Sequence, residues 1–272
     1  MDAYLKNIAV KEIEASSDTL TLRVDNVDAS AMNAIRRTIL SDTPTIAIEW
    51  VFIKENSSVM ADEILAHRLG LVPVLANPDE FASICRETFN PETDAPIEST
   101  IQFELFFSNT TATIVSVYSN DVKCTSHPHI SLKPRVLITK LAPGQEIQAK
   151  MTAIKDVGRE HSKWMPVSSC YYRCIKKVSL PYPAMLPELA KYFRSGLIET
   201  DAGMEIDENT LQINQDIARY HPEVQIETVE ASFIFEIETI VLPPKQILKN
   251  SLSILQSKLN NLLEEAYTTR KQ

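Results

Sequence analysis

Glycine is scarce in this sequence, and the scarcity excludes a class of function. Only 5 glycines occur in 272 residues, at Gly70, Gly144, Gly158, Gly196 and Gly203. No two stand close enough to build the backbone cradle with which a P-loop or a dinucleotide fingerprint holds phosphate. No apolar run approaches the ~18 residues of a membrane span. The N-terminus, Met1-Asp2-Ala3-Tyr4, has neither the basic region nor the hydrophobic stretch of a secretory signal. A soluble intracellular protein is expected. The 4 cysteines (Cys85, Cys124, Cys170, Cys174) form no paired CxxC modules, which suits reduced thiols better than a disulfide framework. Basic charge is short too. The 27 Lys+Arg stand against 36 Asp+Glu, a formal net charge of −9, and the densest basic groups are pairs such as Arg36-Arg37 and Lys176-Lys177. Gripping a duplex takes clustered cations, so sequence-specific nucleic-acid binding is not expected.

What is present is ordinary in bulk. Hydrophobic residues make up 44% and charged residues 23%, as in globular chains, and the length suits one large domain or two smaller ones. Asn7 to Asp25 alternates like a hairpin. A helix is then predicted to about Leu40, with Asp28 or Ser30 as cap, Met32, Ile35 and Ile39 on one face, and Pro44 blocking continuation. A strand is expected at residues 46–54 and a second helix near residues 59–69, capped from Ser57-Ser58 and stopped by Gly70. Residues 77–99 turn to Pro, Asp, Glu and Thr, which reads as a surface excursion. Four strand-like runs follow, at residues 100–107, 112–118, 135–140 and 146–154. Pro181, Pro183 and Pro187 punctuate a linker before short helices around residues 188–195 and 211–220. A β-run over residues 224–240 puts Phe233 and Phe235 on one side of the pleat. The fold class is α+β.

The last helix, opened by Pro243-Pro244, carries the clearest period. Leu248, Leu252, Leu255, Leu259, Leu262 and Ala266 step by four, three, four, three and four, the seam along which two helices interlock. The same spacing also serves a helix laid on its own sheet, and Ile247 and Ile254 widen the stripe enough for both.

The candidate chemistry is thin. Cys124, His127 and His129 are soft donors within six residues, but a structural zinc site wants four ligands, and an exposed turn explains them equally well. A zinc-dependent hydrolase built on them is the distant alternative. Cys170 and Cys174 flank Tyr171-Tyr172-Arg173 in a strand-like stretch too extended for one ion, and read as core filling. His161 reads as a solvated loop residue. Nothing demands an enzyme, a catalytic residue, a metal or a cofactor. Arg36-Arg37 serves either as surface charge or as an anchor for another chain, since arginine is enriched at interface hot spots.

Residues 33–74 carry a longer signature: Asn33-Ala34-Ile35-Arg36-Arg37-Thr38-Ile39-Leu40, Pro44-Thr45-Ile46-Ala47-Ile48-Glu49, Asn56-Ser57-Ser58, and Asp62-Glu63-Ile64-Leu65-Ala66-His67-Arg68-Leu69-Gly70-Leu71-Val72-Pro73. It closely resembles the α-like subunit family of multisubunit RNA polymerases. The likeness continues through Leu141-Ala142-Pro143-Gly144-Gln145-Glu146-Ile147, His161-Ser162-Lys163-Trp164-Met165-Pro166-Val167 and Phe233-Ile234-Phe235-Glu236-Ile237-Glu238. It is weak at residues 75–135 and 178–225.

The resemblance implies a dimerisation domain split between the chain ends, residues 1–44 and 175–272, with a mainly-β domain, residues 45–174, inserted between. It implies a non-catalytic scaffold subunit whose active site lies on other chains. Pairing with a smaller α-like subunit is expected through Met32, Ile35, Ile39, Leu248, Leu252, Leu255, Leu259 and Leu262. Arg37, with Arg36, is expected to face the second-largest subunit, and small zinc-binding shared subunits are further partners. His67 and Arg68 lie in the motif without assigned partners.

Two branches compete. The polymerase II branch carries a cysteine cluster in the inserted domain, where this chain has only Cys85. The branch shared by polymerases I and III lacks the cluster, has a strand resembling Cys170-Tyr171-Tyr172-Arg173, and has a segment resembling Phe193-Arg194-Ser195-Gly196-Leu197-Ile198. Trp164 looks more like the polymerase II pattern. The balance implies the polymerase I and III subunit, in the nucleus and nucleolus, with the polymerase II third-largest subunit as alternative. A homodimer of the bacterial α type is disfavoured, because the sequence stops soon after the last helix. The short N-terminal extension suggests a compacted eukaryotic lineage.

Overall fold

The structure, a computed structural model, describes residues 7–84, 86, 89, 98–182, 185–200, 203–214 and 216–269. Met1–Tyr4, Cys85, Pro183 and residues 90–97 of the expected excursion lie outside the described residues. The chain divides into two compact units, residues 1–36 with 169–238, and residues 37–168 with 239–272. The sequence boundaries at 44/45 and 174/175 sit near the first two of these divisions. The third division, at 238/239, places the final helix with the central segment, which the sequence reading did not anticipate.

In the first unit, β1 (Ala9–Ala15) and β2 (Thr19–Asp25) form a hairpin. Its turn is held by Ser16, whose Oγ accepts from Thr19 N at 3.0 Å. β2 alternates buried and half-buried as a one-faced strand must. The sheet continues through β16 (Gln225–Thr239) to β11 (Val167–Ser179) in the order β1-β2-β16-β11. Phe233, Ile234 and Phe235 are all buried, so this stretch, with Phe233 and Phe235 on one side of the pleat, is covered on both sides. In β11 the buried positions are Val167, Cys170 and Ile175, and Cys174 is exposed. Only Cys170 therefore fills core. Its thiol is pushed up to about 12 by burial, against the opposing charge of Arg36.

A second cluster of Leu189, Ile217 and Val224 completes this unit. Here the sequence reading erred in detail. The expected helix at 188–195 is a short one (Leu186–Leu189) plus a 3-10 turn, followed by a strand at Phe193–Ser195. The expected helix at 211–220 shrinks to Ile217–Tyr220 behind a strand at Gln212–Ile213. That strand pairs with Phe193–Ser195, so a pairing distant in sequence overrode the local helical pattern. Gly196 is required between them. Its φ is +90°, and an added Cβ would stand 2.5 Å from Leu211 Cα.

The second unit is built on a sheet ordered β3-β10-β5-β7. It contains β3 (Pro44–Asn56), β10 (Glu146–Val157), β5 (Ile101–Ser108) and β7 (Val122–Cys124). β10 pairs antiparallel with both β3 and β5. Its core includes Ile48, Phe103, Leu105, Ile147 and Met151. Onto it fall Leu65 and Leu69, both fully buried, from the helix Asp62–Gly70. Each contributes about 1.5–3 kcal/mol by leaving water. The cap of that helix differs from expectation: Ala61 holds the N-cap position without a side-chain bond. Ser57 instead ties the loop to Glu146 (Glu146 N to Ser57 Oγ, 2.8 Å), and Asn56 Nδ2 donates to Met60 O and to Asp62 Oδ1. Gly70 is the last helical residue with no left-handed φ, and the chain leaves through Leu71.

Trp164, fully buried, sits in a 3-10 turn whose N-cap is His161. Lys163 Nζ lies 4.4 Å and Arg86 Cζ 5.2 Å from its ring centre. Glu49 pairs with both cations, and Asp156 and Glu160 with Arg86. Desolvation works against the Arg86 charge, but Asp156 and Glu49 outweigh it and raise its pKa. Gly158 is required by a close approach. An added Cβ would meet Leu40 O at 2.2 Å and Met165 Cγ at 2.9 Å.

Candidate functional site

The helix Ala29–Ser41 (α1) starts after Asp28, whose carbonyl accepts from Ala31 N at 3.0 Å and Met32 N at 3.2 Å. Its apolar face is real, but much of it is spent inside the chain. Met32 and Ile39 are buried, and Ile35 is half-buried. Ile35 is therefore the member of that trio with surface left to offer. Arg36 folds back, donating from Nε and Nη2 to Asn33 Oδ1 at 3.3 and 2.9 Å. Arg37 is exposed and makes no ion pair with a described residue.

The final helix (Pro244–Thr269) is about 39 Å long and shows two characters. The carbonyl of Pro243 accepts from Gln246 and Ile247 to open it. Pro244, Ile247 and Ser251, spaced by three and four, are buried. Leu248, Ile254 and Leu255 are half-buried, and Leu252 is 43% exposed. From Gln256 to Thr268 every side chain is exposed, including Leu259 at 53% and Leu262 at 61%. Lys258 Nζ marks the transition with an ion pair to Asp42 Oδ2 at 2.7 Å. Beyond it three turns of helix carry apolar side chains that are more than half exposed.

A stretch of that length is marginal as an isolated helix, because stability in short helices comes from packing an apolar face. Exposed leucines clustered at helical spacing mark an interaction surface. Of the sequence seam, Leu252, Leu259 and Leu262 lie on the exposed side, while Leu248 and Leu255 are half-buried. The sequence reading missed its other margin. Leu263 and Tyr267, exposed at 56% and 66%, continue from Leu259 in steps of four, a signal that was present in the spacing.

The soft donors do not converge. Cys124 Sγ lies 3.9 Å from Ser126 Oγ, which lies 2.8 Å from His127 Nδ1. The rings of His127 and His129 stand edge-on with centres 6.0 Å apart. Among the described residues no three His, Cys, Asp or Glu side chains are gathered to hold an ion. None of the described helices is long and apolar enough to cross a membrane.

The profile of the RNA polymerase Rpb3/Rpb11 dimerisation domain matches residues 21–259, from β2 into the exposed half of the final helix. The chain belongs to the Rpb3/Rpb11 family of RNA polymerase subunits. Relatives support the family from two domains of life. The chain is 31% identical to the mouse (Mus musculus) DNA-directed RNA polymerases I and III subunit RPAC1, over 96% of this chain and 85% of that protein. It is 30% identical to RPAC1 of Saccharomyces cerevisiae, over 93% and 87%. An archaeal relative, the DNA-directed RNA polymerase subunit Rpo3 of Thermococcus kodakarensis, is 30% identical over 96% and 98%. In the Rpb3/Rpb11 signature itself, Leu65 and Leu69 serve the core. Arg68 Nη2 donates to Leu137 O at 2.7 Å, and His67 is exposed.

Proposed function

We propose that this chain is the larger α-like subunit of nuclear RNA polymerases I and III, a non-catalytic scaffold that pairs with a smaller α-like subunit. The carrying observation is the final helix, whose outer half presents Leu259, Leu262 and Leu263 to solvent in a chain of the dimerisation family. Its counterpart supplies the missing face. Leu252, Leu255, Leu259 and Leu262 form the contact ridge, Leu248 its inner end, and Ile35 the contribution of α1. Met32 and Ile39 act from beneath, by holding α1 in place. Arg37 reaches a large subunit with an exposed guanidinium, and Arg36 plays a lesser part. The dimerisation domain is divided between the chain ends, with the central β-rich segment as the insert. Small zinc-bearing shared subunits dock on the pair, and the active site lies on other chains. The relatives named for polymerases I and III support that branch, and with it a nuclear location that includes the nucleolus.

The test is mass spectrometry of what co-purifies with the tagged chain from native cells. The largest subunits of polymerases I and III together are the expected outcome. Polymerase II subunits alone move the chain to the alternative branch as a third-largest subunit. Leu255→Asp is expected to abolish pairing, since an unpaired buried charge costs several kcal/mol. Leu259→Asp is the cleaner variant, because that side chain is outside the chain's own packing. Retention of the smaller subunit by Leu259→Asp would refute the seam.

A further inference from the structure

The first unit contains a groove of about 750 Å³ whose lining includes no residue of the final helix. Its position is surprising for its charge. In a chain of net charge −9, the groove is lined by Arg173, Lys176 and Arg194, with Asp216 as the acidic residue in the lining. The three cations play two roles. Arg173 is structural, since its guanidinium donates to Leu211 O at 3.1 Å and to Asn209 O. Lys176 and Arg194 make no hydrogen bond or ion pair with a described residue, and both face the groove.

Leu211, which lines the groove, follows a turn held by several bonds. Arg23 Nη1 donates to Asn209 Oδ1 at 3.1 Å. Asp207 closes a local turn by accepting from Thr210 Oγ1 at 2.7 Å and Asn209 N at 3.0 Å, and these bonds hold its carboxyl below the usual range. Gly196 lets Leu211 approach to a distance that no side chain would permit. A lining segment held in this way, beside two cations that make no pair with a described residue, needs little ordering to bind an anion.

We propose that this groove receives a carboxylate-rich segment of a neighbouring protein chain. Two free cations are too few to track a nucleic-acid backbone, whose affinity grows with the number of phosphates neutralised. A volume of this size exceeds a single phosphate and takes several residues of peptide. The lining mixes those cations with Gln212, Asn214 and Thr228, which can pair with peptide amides. The carboxylates of such a segment engage Lys176 and Arg194, Arg bidentately. The proposal rests on the reading of the chain as an assembly subunit, but it concerns a different surface from the leucine seam.

The test uses the purified assembly containing the chain. Carbodiimide joins an amine to a carboxylate in direct contact, so Lys176 is expected to form an amide with an Asp or Glu of another chain. In parallel, a fluorescein-labelled hexaglutamate peptide is titrated onto the purified full chain by anisotropy. Lys176→Glu/Arg194→Glu is expected to weaken it at least about tenfold, with Lys176→Arg/Arg194→Lys retaining most binding. Lys176 coupling only within its own chain, or equal peptide binding by the charge-reversed variant, would overturn the proposal. Displacement of the peptide by inorganic phosphate at equal concentration would also overturn it, by identifying a small-anion site. Failure of the scaffold reading is separable, because it shows in Leu259→Asp while the seam is intact in the groove variants.

Discussion

The two halves of the final helix share one leucine spacing and differ in everything else. In the first half, Pro244, Ile247 and Ser251 are buried. In the second half, Leu259, Leu262, Leu263 and Tyr267 stand in solvent. Periodicity reports that a helix has an apolar face. It does not report what covers that face. Only the tertiary fold separates a stripe already satisfied from one that awaits a partner, and α1 repeats the lesson with Met32 and Ile39 buried and Ile35 only partly so.

The contrast is broken most severely by truncating each half in turn. Ile247→Ala is expected to destabilise the chain by about 2–5 kcal/mol, the usual range for an aliphatic side chain removed from a packed site. Leu259→Ala is expected to leave the stability of the purified chain within about 0.5 kcal/mol of the original, while weakening its affinity for the smaller subunit. Urea unfolding and a pairing titration read the two effects separately. Equal losses of chain stability from both variants would show that the outer half is packed intramolecularly after all.

Close approach offers the next largest effect. Gly158→Ala would place Cβ 2.2 Å from Leu40 O, and backbone cannot yield as a flexible side chain can. A cost of about 1–3 kcal/mol is expected, as for other overpacked sites. Gly144→Ala meets nothing within 4 Å, but its φ of +78° makes it a comparison for conformational strain alone. Thermal unfolding of the two variants weighs the steric cost of a near contact against the cost of a left-handed backbone.

A comparison of the same kind runs through β11, and it shows why parts of the fold were illegible in the sequence. Cys170 and Cys174 are four residues apart, which in a regular strand puts them on the same face. Yet Cys170 is buried and Cys174 exposed. No residue in Cys170-Tyr171-Tyr172-Arg173-Cys174 announces the difference in burial. The elements with strong local signals were readable: α1 before Pro44, the β-runs that became β3, β5, β10 and β16, and the helix opened by Pro243-Pro244. What failed depended on distant partners. The strand Gln212–Ile213 exists because Phe193–Ser195 lies beside it. The outward stripe of the final helix was legible as a pattern, whereas the basic groove was not, since Arg173, Lys176 and Arg194 converge only when folded.

The two cysteines also sharpen the contrast by chemistry. At pH 8 Cys174 is expected to react with iodoacetamide in the native chain, while Cys170 stays unmodified until unfolding. The sign of the accompanying pH dependence follows from the raised thiol pKa. In the folded chain Cys170 holds its proton to about 12, against 9.0 unperturbed, so the unfolded state binds fewer protons between those values. Stability from this site is therefore complete below about pH 9 and falls as pH rises towards 12. Tyr171, raised to about 12 first by its hydrogen bond to Glu236, acts in the same direction above its unperturbed 10.0. Cys170→Ala is expected to flatten the decline over pH 9–10, and an unchanged slope would assign it elsewhere.

The smallest expected effect lies where the two halves of the final helix meet. Lys258 is 44% exposed in its side chain and pairs with Asp42, which also receives Arg159 Nη2 at 2.5 Å. An exposed ion pair of this kind contributes about 0–1 kcal/mol and is screened by salt. Lys258→Ala should therefore leave the unfolding midpoint almost unchanged, and the difference should vanish near 1 M salt, where the Debye length is about 3 Å. Its larger consequence is directional. Asp42 follows α1 directly, so the pair fixes the start of the free half of the helix relative to fixed backbone. Pairing should weaken in Lys258→Ala through a slower association rate, because the leucine face is less often presented in one orientation. If dissociation rather than association changes, Lys258 contacts the partner itself, and the free half begins one turn earlier than the burial pattern places it.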